Sequence, residues 1–257
     1  MLVDSHCHLD HLDLSDYQNS LDRLLDTARQ RGVTQFLSVG VDLPSSSRLV
    51  ELAQTRDDML VSVGVHPLQR ELPPLPEVTE LLSLGSQPGV VAIGETGLDN
   101  YYDKDNAEWQ EQSFISHLQA GAQLRKPVIV HTREARAQTM AILRDYASTS
   151  SGGVIHCFTE NWDMAKAAMD LNFMISFSGI ITFRNASALR EVVKKVPLEN
   201  MLVETDAPWL APVPYRGKQN EPKYVVEVAK AVAEIKGVGW QQVAEVTTAN
   251  FQRLFLP

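Results

Sequence analysis

His6 and His8 stand two residues apart at the end of a short apolar run, residues 2–4. Side chains alternate across a strand with a period of two, so both imidazoles face the same way. Two imidazoles so placed can reach one metal ion, although an H-x-H pair by itself has an ordinary structural alternative. The run 90–99 carries Glu95 just beyond its apolar part, with Val91 and Ile93 expected on the same face beneath it. A carboxylate there can bridge two cations, the alternative being a turn acid between Gly94 and Gly97. His131 ends residues 127–131 and shares a face with Ile129, and His156 ends residues 153–156 and shares a face with Val154. At the last apolar run Leu202, Glu204 and Asp206 share a face, with Asp206 outermost. Asp206 could also be a helix or turn cap. Glu204, one layer deeper, is read as an acceptor that orients a ligand histidine.

Four histidines, one glutamate and one aspartate at the ends of five different runs suit a pair of divalent cations. Structural zinc sites are usually closed by cysteine-rich tetrahedral sets, whereas a histidine and carboxylate set with open positions suits catalysis. Two cations about 3.5 to 4 Å apart can activate water and stabilise both attacking and leaving oxygens, which makes hydrolysis the leading reaction class. Mixed His and carboxylate donors accept Zn, Mn or Ni.

The elements that must position these residues are eight short apolar runs, at 2–4, 35–39, 59–63, 90–93, 128–130, 154–155, 173–177 and 201–203. Helical patterns alternate with them, such as Leu21, Leu24, Leu25 and Ala28 stopped by Gly32, or Phe114, Ile115, Leu118 and Ala122 stopped before Pro127. Two more helical patterns follow the last run, one with Val225, Val228, Val232 and Ile235 and one ending near Phe255. Eight strand and helix units in 257 residues predict an α/β protein built as a (β/α)8 TIM barrel, in one domain over residues 1–257, with an open doubly wound sheet as the alternative. The ionisable residues favour the barrel, because they sit at C-terminal strand ends, where barrel active sites are built.

Composition narrows the partners. With 44% hydrophobic and 21% charged residues the chain has ordinary globular composition, and a net charge of −9 argues against a wide basic face for duplex DNA or anionic membranes. Cys7 and Cys157 lie far apart without metal-ribbon spacing and are read as buried thiols facing away from the metals. The first residues lack a basic stretch followed by an apolar one, and no segment approaches about 18 uninterrupted apolar residues, so a cytoplasmic protein without membrane or obligate protein partners is expected.

Five stretches carry a family resemblance: Asp4-Ser5-His6-Cys7-His8-Leu9-Asp10, Gly94-Glu95-Thr96-Gly97-Leu98-Asp99, Pro127-Val128-Ile129-Val130-His131-Thr132-Arg133, Gly153-Val154-Ile155-His156-Cys157-Phe158 and Val203-Glu204-Thr205-Asp206-Ala207-Pro208. Together they resemble the TatD family of metal-dependent hydrolases, a branch of the amidohydrolase-like barrels. Ser176-Phe177-Ser178-Gly179 and Arg216-Gly217-Lys218-Gln219-Asn220-Glu221-Pro222 are similar to its YcfH-like members. The resemblance implies that His6, His8, Glu95 and Asp206 hold one metal and that Glu95, His131 and His156 hold the other. It also implies that Asp206 takes the proton from the attacking water. Many amidohydrolase relatives bridge their metals with a carboxylated lysine; Glu95 in that role supports the TatD-like branch. One departure stands out: His66-Pro67 matches a motif that commonly continues with a second His, here Leu68.

Substrate contacts are less defined by sequence. His66 either lines the pocket or caps the third strand. Arg133, Arg184, Arg216 and Lys218 follow candidate strands and could hold a phosphate, each with ordinary surface charge as its alternative. Phe158, Tyr101, Tyr102 and Trp209 could stack a base or simply pack. His11 is read as a surface or rim residue, and His117, inside a helical pattern, receives no role. Since TatD-like proteins include metal-dependent deoxyribonucleases, the leading expectation is a 3′→5′ exonuclease on single-stranded DNA, and the resemblance adds Mg to the candidate metals. An ester or amide hydrolase, such as a D-aminoacyl-tRNA deacylase or small-molecule amidohydrolase, would use the same ligands. A non-catalytic, metal-stabilised binding protein ranks last, because a scaffold has no need of an open two-metal set.

Overall fold

The computed structural model describes residues 1–256; residue 257, the last of the expected domain, lies outside them. The eight strands are β1 (Leu2–Cys7), β2 (Val33–Val39), β3 (Met59–Val63), β4 (Val90–Asp99), β5 (Val128–Arg133), β6 (Gly153–Ile155), β7 (Phe173–Phe177) and β8 (Met201–Val203). All pair in parallel and in chain order. The ring is drawn together beyond β8, where Ala207 bridges Cys7 and the Asp206 N–H donates to the His6 carbonyl at 2.9 Å. This is the barrel, not the open sheet, and the seam that closes it lies among the candidate ligands.

Helices cover the outside: α1 (Leu21–Arg29), α2 (Leu43–Ala53), α3 (Val78–Gly85), α4 (Ala107–Leu124), α5 (Arg136–Tyr146), α6 (Trp162–Asp170), α7 (Ser187–Lys195), α8 (Val225–Lys236) and α9 (Trp240–Phe255). Their ends follow local chemistry. Asp42 accepts from the Ser45 N–H at 2.6 Å and Asn161 from the Met164 N–H at 3.0 Å, satisfying donors that open a helix. Helix α8 stops at Gly237, whose φ of 69° suits a residue without Cβ.

Two apolar layers result. Val3, Leu37, Val39, Val91, Ile129, Val154, Met174 and Leu202 fill the barrel, and Phe251, Leu254 and Phe255 of α9 pack with them. Asn250 donates to the Met201 carbonyl and Thr248 to that of Met1, which fixes α9 beneath the strand N-termini. The floor is thereby sealed, and access is left to the opposite end. A larger layer between sheet and helices includes Phe36, Phe114, Phe173 and Ile93.

Ile93 corrects an expectation. Val61 pairs with Val90 but Ser62 with Ala92, so Val91 is an inserted residue and the alternation shifts beyond it. Ile93 therefore faces the helices, where its Cδ1 would lie 2.8 Å from a Cβ placed on Gly85. A second irregularity between Ile93 and Thr96 turns Glu95 back into the mouth. It uses Gly94 at φ 129°, where a Cβ would sit 2.6 Å from the Ile129 carbonyl oxygen. Strand β4 then continues to Asp99 instead of stopping at 93. No helix among the described residues is long and apolar enough to cross a membrane.

Candidate metal centre

The six candidate ligands meet at the C-terminal end of the barrel, around Glu95. Its Oε2 lies 3.2 Å from His6 Nε2 and 3.7 Å from His8 Nε2. Its Oε1 lies 2.6 Å from His156 Nε2 and 3.2 Å from His131 Nδ1. Asp206 Oδ1 completes the first side, 3.4 Å from His8 Nε2 and 3.7 Å from His6 Nε2. Each oxygen of one carboxylate thus faces its own group of imidazoles.

Barrel construction explains this convergence. His6 and His8 face the mouth from the end of β1 and its extension, beyond an irregularity between Asp4 and Cys7 that leaves Asp4 paired with Phe36 on the opposite, helix-facing side. The seam bonds between β1 and the segment after β8 bring Asp206 beside the histidine pair. Asp206 itself stands at φ 57°, a left-handed turn conformation that Asp tolerates. Asp4 accepts from the Thr205 N–H at 2.8 Å and hydroxyl at 2.6 Å, while Asn220 donates to the carbonyls of Thr205 and Trp209. The loop that presents Asp206 is therefore clasped from both sides. Burial pushes the Asp4 carboxyl up to about 8, against the Thr205 hydrogen bonds that lower it.

The donor set fits divalent cations. Glu95 Oε2 is buried and has no hydrogen-bond partner, and the surrounding atoms are imidazole nitrogens and a second carboxylate. His6, His8 and Glu95 bring ligand atoms within 4.8 Å of one another, as do His6, His156 and Asp206, and His66, Glu95 and His131. Burial alone would raise the Glu95 carboxyl, yet His156, His66 and His6 hold it well below the usual carboxylate range. Burial likewise opposes charge on Asp206, and the His8 hydrogen bond together with His6 outweighs it and lowers the carboxyl. Two ionised carboxylates kept out of water favour positive charge between them.

Carboxylates stand behind two of the imidazoles. Asp99 Oδ2 lies 3.1 Å from His131 Nε2, leaving Nδ1 to face the centre. Burial disfavours charge on His131, but Asp99 and Glu95 raise its pKa. Glu204, fully buried, accepts from the Cys157 N–H at 2.8 Å and places the same oxygen 3.4 Å from His156 Nδ1. Burial also disfavours charge on His156, and Glu95 with Glu204 raises it well above the usual range. Among the described residues, His6 Nδ1, His8 Nδ1 and His156 Nδ1 are buried without a hydrogen-bond partner, the last with the Glu204 carboxylate nearby.

The centre lies in a cavity of about 940 Å3. His66 and Arg133 line it, and so do His11, Tyr102 and Trp209 at the rim. Arg184, Arg216 and Lys218 do not; Arg216 instead lies over the Phe183 ring at 3.8 Å and donates to the Ala211 carbonyl. Phe158 is sealed in the core against Phe177 and offers no stacking face. Cys7 is buried and donates to the Leu37 carbonyl, as a core thiol would. Cys157 departs from expectation: at φ 43° its backbone turns left-handed, and the residue lines the cavity with Sγ 3.1 Å from Ser178 Oγ.

Sequence reasoning left Asp99, Asp4, Asn220 and His117 without roles. Asp99 shares parity with Glu95, so strand alternation carried a signal for it; Asp4 shares parity with His6, but the irregularity between Asp4 and Cys7 puts it on the other face of the sheet, which alternation could not show. His117 accepts from the Val65 N–H at Nε2, 2.9 Å away, while Nδ1 lies 2.6 Å from the Ser113 carbonyl. It anchors the end of β3 from a buried helix position, which no linear pattern marks.

Known proteins place this geometry in context. Residues 3–256 match the family model of TatD related DNase. The chain is 51% identical over 254 residues to the uncharacterised metal-dependent hydrolase YcfH of Escherichia coli K12, covering 99% of this chain and 95% of that protein. It is 36% identical to the uncharacterised metal-dependent hydrolase YabD of Bacillus subtilis, covering 99% of each. The crystal structure of YjjV, a TatD homologue from Escherichia coli K12, superposes with a TM-score of 0.91 at 26% identity, covering 100% of this chain and 98% of that one.

Proposed function

The chain belongs to the TatD family of metal-dependent hydrolases, and from that premise we propose that it is a phosphodiesterase, a 3′→5′ exonuclease that releases nucleotides from single-stranded DNA. In this reading two divalent cations, Mg, Mn, Zn or Ni, are held by His6, His8, Glu95 and Asp206 and by Glu95, His131 and His156. Bound there, they would supply Lewis-acid stabilisation and lower the pKa of water.

The protein's own residues divide the remaining work. Asp206, held below the ordinary carboxylate range, is ionised at neutral pH and can accept the proton of the attacking water. Asp99 and Glu204 orient His131 and His156. The observation that carries the phosphate reading is Arg133. Its guanidinium lies 4.1 Å from the centroid of Tyr101 and 4.6 Å from that of Tyr102, at the cavity wall. Cation–π contact with two rings set 87° apart fixes the position of the group, whose forked N–H donors can grip a phosphate in bidentate fashion. Tyr102 and Trp209, opening onto the cavity, offer faces for bases.

Arg70 and Arg133 are the two arginines among the described residues of the cavity lining, which include no lysine. Two cationic groups match one or two phosphates of a strand end better than a long duplex footprint, and a chain of net charge −9 agrees with that. The test is end-labelled single-stranded DNA incubated with metal-free protein resupplied with Mg, Mn or Zn, with Asp206→Asn as blank. Stepwise shortening from the 3′ end, absent in the variant, is expected. No cleavage by metal-loaded protein would reject the nuclease and favour an ester or amide substrate.

A further inference from the structure

His66 reaches the centre as closely as two of the proposed ligands, with Nε2 3.2 Å from Glu95 Oε1 and its ring centroid 4.7 Å from that of His131. Distance alone would make it another ligand. The hydrogen bond behind the ring assigns it otherwise. The Leu68 N–H donates to His66 Nδ1 at 2.9 Å. An amide N–H can only donate, so Nδ1 presents its lone pair and the proton of the neutral imidazole sits on Nε2. The atom facing the centre is therefore an N–H, and binding a cation through it would require an imidazolate.

The polarity is opposite at His131 and His156. Asp99 stands behind His131 within hydrogen-bond distance at 3.1 Å, and the Glu204 carboxylate lies 3.4 Å from His156 Nδ1; a carboxylate on that side favours the imidazole proton there and turns a lone pair toward the centre. We propose that His66 is a substrate-binding hydrogen-bond donor and not a metal ligand: its Nε2–H grips an anionic oxygen of the phosphoryl group being hydrolysed. This role rests on the hydrolase reading of the centre, and once Glu95 is engaged by cations the donor needs that second acceptor.

The segment is built to hold the donor still. His66 N–H donates to the Val41 carbonyl at 2.9 Å, Val65 N–H to His117, and Gln69 bridges the carbonyls of Val41 and His66. A donor fixed on both sides of its own residue needs no rearrangement when charge develops on the substrate oxygen. The backbone of Leu68, not its side chain, sets the tautomer, so a leucine suffices at that position.

The test uses metal-loaded wild type, His66→Phe, which keeps the ring and deletes the donor, and His66→Gln, whose amide N–H can take the place of Nε2–H. Metal equivalents per chain are counted by mass spectrometry after gel filtration, and inorganic phosphate binding is measured by calorimetry on the same samples. All three proteins are expected to hold equal metal. His66→Phe should weaken phosphate about 10- to 100-fold, the range of a hydrogen bond to a charged group, with most of the loss restored in His66→Gln. Loss of a metal equivalent in His66→Phe would overturn the proposal and make His66 a ligand; equal metal with unchanged phosphate affinity would overturn it as well. Neither readout involves DNA, so failure of the nuclease reading would show separately as uncleaved DNA.

Discussion

His117 lies far from solvent and contacts no proposed ligand, yet acidification should act on the protein through it. Burial drives its pKa down from 6.5 to about 4, against the opposing Ser113 carbonyl bond. The neutral ring accepts from Val65 N–H and donates to Ser113; a protonated ring would set two N–H groups against each other at Val65. A base whose folded pKa is depressed binds fewer protons folded than unfolded, so stability rises with pH through this window. The contribution is complete above about 6.5 and lost as pH falls toward about 4. That interval, at about 1.4 kcal/mol per pH unit, amounts to about 3 kcal/mol. Urea unfolding of metal-free wild type and His117→Gln, followed by circular dichroism from pH 7 to about pH 4 at fixed ionic strength, isolates the effect, because other titrating groups are common to both proteins. The variant should be less stable at pH 7, by about 1 kcal/mol or more for the lost bonds. The wild-type advantage should then fall by about 3 kcal/mol on acidification, so a lead of about 1 kcal/mol at pH 7 becomes a deficit at about pH 4. A gap independent of pH would refute the neutral, doubly bonded assignment and with it the account of how the end of β3 is anchored.

Other expectations follow from the same geometry. Glu204→Gln removes the acceptor behind His156 and should weaken metal affinity about 10- to 100-fold, read by titration with a fluorescent chelator, while the fold persists by circular dichroism. Arg133→Lys keeps the charge but loses the planar fork held by cation–π contact with Tyr101 and Tyr102; KM for single-stranded DNA should rise about tenfold or more with kcat less affected, and an unchanged KM would remove Arg133 from the substrate site. Binding of single-stranded DNA by Asp206→Asn should show a shallow salt dependence, a slope of about −1.4 in log affinity against log salt for two neutralised phosphates. A slope several times steeper would point to a basic contact surface outside the cavity.

The linear order of residues was enough for the barrel and most of the centre. Apolar runs ending in His6, His8, His131, His156 and Asp206 encode both a strand and a candidate ligand at its open end, because alternation and strand polarity are local properties of the chain. Each of the eight runs lies within one of the eight strands, several of which extend beyond it, and Gly32 and Pro127 follow helices where expected. What failed was whatever depended on contact. Ile93 was assigned to the wrong face because an inserted residue at Val91 shifts the alternation, and that insertion exists only relative to the partner strand. Cys157 was turned outward by the same counting, but a left-handed backbone brings it to the cavity. Arg184, Arg216 and Lys218 looked equivalent to Arg133 because a loop sequence does not say where its tip lies; folding leaves only Arg133 of these at the wall. The sequence by itself determined which atoms could bind metal. Tertiary structure decided what stands behind each ring, a carboxylate at His131 and His156 and an amide N–H at His66. That difference sets which imidazole nitrogen is bare, and a hydrogen bond between segments distant in the chain has no linear signature.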